Sequence, residues 1–532
     1  MRRMFAGFAV LLMCACSGPA RAQAQSDAQV LAGRRIYEEG VLVSGAPLVG
    51  TRGNGLTSRG KAAACISCHQ RSGFGRGEGR NFVPPITAEA LFKAGRAPIE
   101  EPRSAGSVTV LPPRHLARAA YDATSLATAL RDGISTDGQP FQVLMPRFAL
   151  GDTDMQALTA YLRTLSAVPS PGHGAEGTRF ATIVAPGQDA ERRKQLVDVL
   201  NGCFNDRGSG AAARDPWTLD VWDLEGPPET WGQQLEARYA QAPVFAVISG
   251  LGGAEWAPVH AFCNAKGLPC LFPNVDAPGG ATEGGTTFYL SKGVVLEAEA
   301  AIRHLADLPA AERPKRVVQV VGASPSARKA SGAAHEAAAR AGLPLETREL
   351  AVGTAAALAG LGKTDALLLW LGPQEAAQIS REKLPAPATI LASGWLAGFE
   401  AIPLSDAWKR KALVIVPVDA PVRRQLRVRY NLEPWLSRMG LMLGDTMLQG
   451  NTLAACKIMT ESFWRMRGNY LRDYLVEWVE NYPTMGNAPA PQVYPRFAIS
   501  PGQRVSSHGV FLVRFNKQNP RELELARDWF VP

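Results

Sequence analysis

The sequence predicts a multidomain chain: a small all-α domain followed by a larger, two-lobed α/β domain. Three observations predict it. At 532 residues the chain exceeds what one ordinary hydrophobic core serves. Up to about residue 168, apolar residues recur at helical spacing around a short cysteine motif. Beyond residue 178, short apolar runs alternate with amphipathic helical stretches, the pattern of parallel α/β layers. A hydrophobic content of 46% with 20% charge is that of a soluble globular protein.

Residues 1–22 read as a secretory signal. Arg2 and Arg3 form the charged start, Phe5 to Ala15 the apolar centre, and Ala20-Arg21-Ala22 the small-x-small cleavage site. The apolar run is about half the length that spans a bilayer, which makes an N-terminal membrane anchor the lesser reading. Lipidation at Cys16 is a further alternative that Met13-Cys14-Ala15 fits poorly. No other stretch is long and apolar enough to cross a membrane, so a soluble periplasmic protein is expected. The formal charge of +9 falls to about +6 once Arg2, Arg3 and Arg21 leave with the signal. That balance weakly favours acidic partners. With no dense Lys/Arg run and no interleaved aromatic and basic strip, nucleic acid is not expected to be a partner.

Eight cysteines divide by position. Cys14 and Cys16 belong to the signal, and Cys65 and Cys68 open the motif Cys65-Ile66-Ser67-Cys68-His69. Cys203, Cys263, Cys270 and Cys456 remain, either paired in an oxidising compartment or buried as thiols. Cys263 and Cys270, across a helix-to-strand turn, are the expected pair.

The Cys65-x-x-Cys68-His69 motif carries the strongest chemical signal. Two thiols three positions apart can reach both vinyl groups of one haem, and the adjacent imidazole then lies beneath the iron. A thioredoxin-like pair would follow a strand, whereas Gly60-Lys61-Ala62-Ala63 precedes this one; a zinc site would need a second Cys/His pair nearby. One covalent haem c on Cys65 and Cys68, with His69 as axial ligand, is the expectation. The flanking sequence supplies helices. Ala32-Gly33-Arg34-Arg35-Ile36-Tyr37 opens the domain, with a glycine placed for close helix packing. Ser125 to Asp132 forms a second helix stopped by Gly133. The last begins at Thr153 as N-cap with Gln156 completing a capping box, and buries Leu158, Tyr161, Leu162 and Leu165. Met145, on the loop before that helix, is the candidate sixth ligand, with Met155 and His115 as alternatives.

These residues resemble the class I cytochrome c family. The resemblance rests on the Cys65-x-x-Cys68-His69 motif, the helix ending in Arg131-Asp132-Gly133, Met145-Pro146-Arg147-Phe148 and Tyr161-Leu162-Arg163. It spans about 140 residues and implies one low-spin haem, reversible one-electron transfer, and a redox partner such as a periplasmic dehydrogenase or another cytochrome. The Gly-rich stretch Ser72 to Gly79, with Arg71, Arg76 and Arg80, would rim the exposed haem edge or form a solvated loop.

Residues 169–177, rich in Pro and Gly, read as a linker between domains at 23–168 and 178–532. Beyond it, strands are expected at Phe180 to Val184, Leu219 to Trp222, Val244 to Ile248, Cys270 to Phe272, Val317 to Val321 and Ala366 to Leu371, with helices between them. Phe245 to Gly250, Gly267 to Pro273, Val317 to Gly322 and Leu368 to Pro373 resemble the type 1 periplasmic binding proteins, the group that includes branched-chain amino acid binding components. The resemblance implies a small ligand held between lobes by loops at the carboxyl ends of strands. It points to Ser249, Glu255, Asn274, Asp276, Tyr289 and Trp395, with Ser324 and the Ser393-Gly394-Trp395 turn. Where amino-acid binders usually present small hydroxyl residues to the ligand carboxylate, this chain has Gly253-Ala254-Glu255-Trp256, and Asn274-Val275-Asp276 follows the next strand, so an amino-acid ligand is not expected. The carboxyl end, Arg496 to Gln503 and Gly509 to Phe515, reads as a closing strand pair. There is no nucleophile elbow, phosphate loop or His-rich cluster. The reading is a non-enzymatic electron carrier with a binding or docking domain, the alternative being a haem-containing ligand sensor or transport-linked binding protein.

Overall fold

The computed structural model describes residues 18–78, 81–95, 118–206, 215–399, 402–419, 421–466, 468–482, 494, 497–519 and 522–532. The chain forms two compact units, Met1–Pro169 and Ser170–Pro532. Residues 1–17 of the expected signal and His115 lie outside the described residues.

In the first unit, helix α1 (Gly18–Glu39) is followed by α2 (Ile66–His69), α3 (Ala88–Phe92), α4 (Ala123–Arg131) and α5 (Asp152–Leu162). Gly33 lets α1 lie directly on α5: a Cβ there would stand 2.0 Å from the Ala157 carbonyl oxygen and 2.8 Å from Tyr161 Cβ. Tyr37 and Tyr161 pack with ring centroids 5.3 Å apart at this crossing. Helix α5 starts two residues earlier than expected. Its N-cap is Gly151, whose N–H donates to Asp154 Oδ2 at 3.2 Å, so neither Thr153 nor Gln156 caps it.

The unit is not all-α. Strands β1 (Val49–Thr51) and β2 (Thr57–Arg59) form a hairpin, and β5 (Arg147–Phe148) adds to β1. A second small hairpin pairs β3 (Gly77–Glu78) with β4 (Asn81–Phe82). The first hairpin has a local cause, Gly53-Asn54-Gly55 between Val- and Thr-bearing runs, with the Arg52 N–H donating to the Leu56 carbonyl at 2.8 Å. Runs of three residues are too short to show a period.

The second unit carries β6 (His173–Gly174), β7 (Gly177–Val184), β8 (Trp217–Asp223), β9 (Ala246–Ile248), β10 (Cys270–Leu271) and β11 (Thr287–Ser291). Then come β12 (Arg316–Val321), β13 (Leu345–Glu349), β14 (Asp365–Trp370), β15 (Thr389–Ser393), β16 (Ala412–Val416), β17 (Val505–Ser507), β18 (Val510–Phe515) and β19 (Leu523–Phe530). They make two seven-stranded sheets among the described residues. One runs β17-β11-β10-β9-β7-β6, with β8 also paired to β7; the other runs β13-β12-β14-β15-β16-β18-β19. Pairing is parallel from β8 through β17 in the first sheet and from β13 to β16 in the second. The strands read from the sequence lie within or overlap these; all but Leu219 to Trp222, of which only Trp222 is buried, are buried along their length.

The helices used below are α6 (Ala190–Asn205), α7 (Trp231–Gln241), α8 (Ala257–Ala265), α9 (Val294–Asp307) and α10 (Pro325–Ala341). They continue with α11 (Gly394–Ala397), α12 (Pro421–Arg427), α13 (Glu433–Arg438), α14 (Thr446–Arg465) and α15 (Arg472–Asn481). The chain passes between sheets three times: after β11 into α9, after β16 toward α12 to α15, and directly from β17 to β18. The carboxyl end therefore differs from the expected strand pair. Of its expected first strand, Arg496 lies outside the described residues and Pro501-Gly502 forms a turn, while β18 pairs with β16 and β19.

Both remaining cysteine pairs are disulfides, Cys263–Cys270 as expected and Cys203–Cys456, which ties α6 to α14. Residues 170–174, inside the segment that composition marks as a linker, are hydrogen-bonded into this unit. Ser170 Oγ accepts from the Arg472 N–H at 3.0 Å, and the Arg472 guanidinium donates to the Pro171, Val244, Phe245 and Lys266 carbonyls.

The α1–α5 crossing generates a prediction. Gly33→Val should lower the unfolding free energy of the first unit by about 1–3 kcal/mol through overpacking against backbone, measured by denaturant titration. An unchanged midpoint would mean that the two helices do not meet at this glycine.

Candidate functional site

The motif of the first unit is built on a single turn. Cys65 caps α2, and the His69 N–H donates to the Cys65 carbonyl at 2.9 Å, which stacks the imidazole one turn below the first thiol. The Gly-rich stretch then reverses the chain. Gly75 (φ +66°) passes so close to Val83 that a Cβ would sit 2.1 Å from its carbonyl oxygen. This return brings the Pro84 carbonyl oxygen to 3.0 Å from His69 Nδ1. A carbonyl can only accept, so Nδ1 carries the proton and Nε2 keeps its lone pair. His69 is 4% exposed, and burial lowers its pKa to about 4, so the ring stays neutral at ordinary pH. Burial also pushes the Cys65 thiol up to about 12. Tyr37 reaches across from α1, its hydroxyl donating to the Gln70 carbonyl at 2.6 Å, which fixes the residue after the imidazole.

Met145 is half-buried against the hydrophobic cluster that Cys65 and Ile66 also flank. Its loop is held by Arg147, whose guanidinium donates to the Met145 carbonyl at 2.6 Å and the Phe141 carbonyl at 3.3 Å. Met155, by contrast, is buried in the core from within α5. Arg52 Nε is buried with no hydrogen-bond partner among the described residues, and its neighbour Thr51 pairs with Arg147 beside the Met145 loop. Two thiols at the right spacing, an imidazole with one free nitrogen, a thioether and an orphaned cationic donor suited to a carboxylate fit a covalent haem. Sequence reasoning missed Arg52, Tyr37 and Pro84, because each acts through the fold and none belongs to the motif. Arg80 lies outside the described residues.

In the second unit the six expected cleft residues separate into different roles. Asp276, on the loop after β10, meets the second lobe: Ser326 Oγ donates to its Oδ2 at 2.6 Å and Trp395 Nε1 to its Oδ1 at 2.9 Å. No cation is paired with this carboxylate among the described residues. Ser249 and Asn274 turn instead toward α14, where Asn274 Nδ2 donates to Ser249 Oγ at 3.0 Å and Thr452 Oγ1 at 3.2 Å, and Asn451 Nδ2 donates to Asn274 Oδ1 at 3.1 Å. Tyr289 points into the first lobe, 2.8 Å from His260 Nδ1, and burial raises its pKa. Glu255 is exposed on the loop ahead of α8.

One buried residue was not anticipated. Glu297, in the first turn of α9, accepts from Ser393 Oγ and from the Trp395 N–H at 2.9 Å, so it holds the start of α11 and with it the indole that contacts Asp276. Burial raises its pKa to about 8, against the lowering effect of these donors. A separate cavity of about 800 Å³ opens beside the crossovers, lined by Glu283, Lys292, Gln503 and His508 among others. No group of three or more His, Cys, Asp or Glu among the described residues is placed to hold a metal ion.

The Cytochrome c family matches residues 58–166. Comparison with curated proteins returns no match. Among solved structures, a fatty acid ABC transporter substrate-binding protein from Thermomonospora curvata is similar at 16% identity and a TM-score of 0.49, over 69% of this chain and 95% of that one. A branched-chain amino acid ABC transporter protein from Thermus thermophilus with bound valine is similar at 14% identity and a TM-score of 0.48, over 67% and 97%. A type 1 periplasmic binding protein from Bordetella pertussis Tohama I is similar at 13% identity and a TM-score of 0.48, over 66% and 99%. The cytochrome c resemblance read from the sequence thus has its counterpart in the family match at residues 58–166.

Glu297 gives a pH prediction. A carboxyl whose folded pKa lies above its unfolded value adds stability in full below the unfolded value near 4.5 and loses it as pH rises through about 8. The unfolding midpoint of the second unit should therefore fall between those pH values, and Glu297→Gln should flatten the dependence. Thermal unfolding at several pH values checks this; parallel profiles for native protein and variant would contradict it.

Proposed function

We propose that this protein is a periplasmic c-type cytochrome that passes single electrons, built from a haem domain at residues 23–168, a short connection at 169–177 and a two-lobed domain at 178–532. The signal at residues 1–22 would be removed on export. The observation that carries the reading is His69, an unprotonated Nε2 presented beside two thiols while Nδ1 is committed to the Pro84 carbonyl.

Bound at Cys65 and Cys68, haem supplies a one-electron iron couple. The chain's own residues set how that couple behaves. Pro84 fixes the ring orientation and basicity of His69, Arg147 holds the loop that offers the Met145 thioether, and Arg52 offers a buried N–H to a carboxylate. His69 and Met145 would be the residues that hold the iron, and an imidazole together with a thioether would favour the reduced state relative to two imidazoles, which would suit an acceptor of electrons from a periplasmic dehydrogenase or another cytochrome. The two-lobed domain either holds a small ligand or docks that partner.

The hydrogen bonds from Ser326 and Trp395 to Asp276 favour a second reading, a ligand sensor or transport-linked binding protein in which lobe closure is coupled to the haem. Rapid-mixing measurements of electron exchange with a soluble acceptor, on the full chain and on a chain lacking residues 178–532, separate the two. A carrier keeps its exchange rate, whereas a sensor loses a ligand-dependent change in rate or potential. Met145→Ala should retain covalent haem and lower the reduction potential by on the order of 0.1 V, read by spectroelectrochemistry. An unchanged potential would remove Met145 from the ligand set.

A further inference from the structure

The second unit displays a helical ridge that the fold does not use. Helix α12 (Pro421–Arg427) runs on through a π-helical turn, Val428–Leu432, into α13. Val422 is 67% exposed, Leu426 48% and Tyr430 67%. In an α-helix the fourth residue overshoots a full turn, and the wider i→i+5 turn that follows brings Tyr430 back toward line with Val422 and Leu426. The three side chains thus make one apolar ridge. Within the same twelve residues the body takes up only Arg424 and Leu432 as buried side chains.

The charge on this ridge has one sign. From Pro421 to Leu432 there are four arginines and no acidic residue. Arg427 pairs with the buried Asp419 at 2.7 Å, and Arg424 lies over the Phe399 ring at 5.2 Å. Arg423 and Arg429 are exposed. This is a dense basic run that sequence reading passed over, because its arginines are interleaved with apolar residues. An exposed apolar ridge, a tyrosine whose ring and hydroxyl suit a polar–apolar boundary, and long arginine stems beside it are the composition of a helix that lies in a membrane surface. A convex ridge needs no complementary groove, which a bilayer does not offer and a protein partner must.

We propose that the 421–432 ridge rests this protein on an anionic phospholipid surface as a peripheral contact, without spanning. The contact brings the exported protein to the membrane face where its electron partners or transport partners reside.

The test is cosedimentation of the full-length processed holoprotein with vesicles of phosphatidylglycerol and phosphatidylcholine, compared with vesicles of phosphatidylcholine alone. Binding should require the anionic lipid and weaken as salt is raised, since the arginines act at the surface. Leu426→Ser with Tyr430→Ser, and separately Arg429→Glu, should each lower partitioning by about tenfold or more, with the haem absorption spectrum and thermal midpoint unchanged. Failure of the native protein to bind anionic vesicles would overturn the proposal and leave an acidic protein as the ridge's occupant. So would vesicle binding that neither variant alters. Self-association without lipid that both variants abolish would also overturn it, by assigning the ridge to a second copy.

Discussion

An imidazole can serve iron through only one nitrogen when the other is spoken for, and the first unit is arranged around that constraint. The Pro84 carbonyl takes the Nδ1 proton of His69, and the chain reaches Pro84 only because Gly75 permits a reversal that a side chain would block. Tyr37 anchors the residue that follows His69, and Tyr37 is itself set by the α1–α5 crossing at Gly33. A motif of five residues thus depends on a helix crossing formed by residues more than a hundred positions apart in the chain. The same burial that lowers the imidazole pKa keeps the ring neutral.

The second unit uses polar groups differently. Its central strands, such as β9 and β16, are continuous apolar runs, and the polar groups that meet across the lobes lie at strand ends. There Asp276 accepts from a serine and an indole of the other lobe and meets no cation among the described residues, while Glu297 is buried deeper and holds that indole in place. The partners of the Asp276 carboxylate, Ser326 and Trp395, both come from the opposite lobe.

What the sequence made legible follows from range. The haem motif is covalent chemistry at fixed spacing, and it needs no tertiary information. The α/β alternation is visible because buried parallel strands and amphipathic helices differ in period over many residues. The rule that sites gather at carboxyl ends of strands reached Asp276 and Trp395, which meet, but also Ser249 and Asn274, whose side chains turn inward to Thr452 and Asn451. Side-chain direction at a strand end is decided by a helix some two hundred residues away, which no local pattern records. Tyr289 was misplaced for the same reason, its hydroxyl being taken by His260. Glu297 was hidden as one of three acidic residues in a largely apolar helix, and the strands of the first unit were too short to leave a period.

The most direct test of the central claim is the mass of the intact, exported protein measured after denaturation, when produced with haem-attachment machinery. Covalent attachment at Cys65 and Cys68 gives the mass of the processed chain plus one haem, and that increment is lost when both cysteines are replaced by Ala. A denatured mass equal to the polypeptide alone would contradict it.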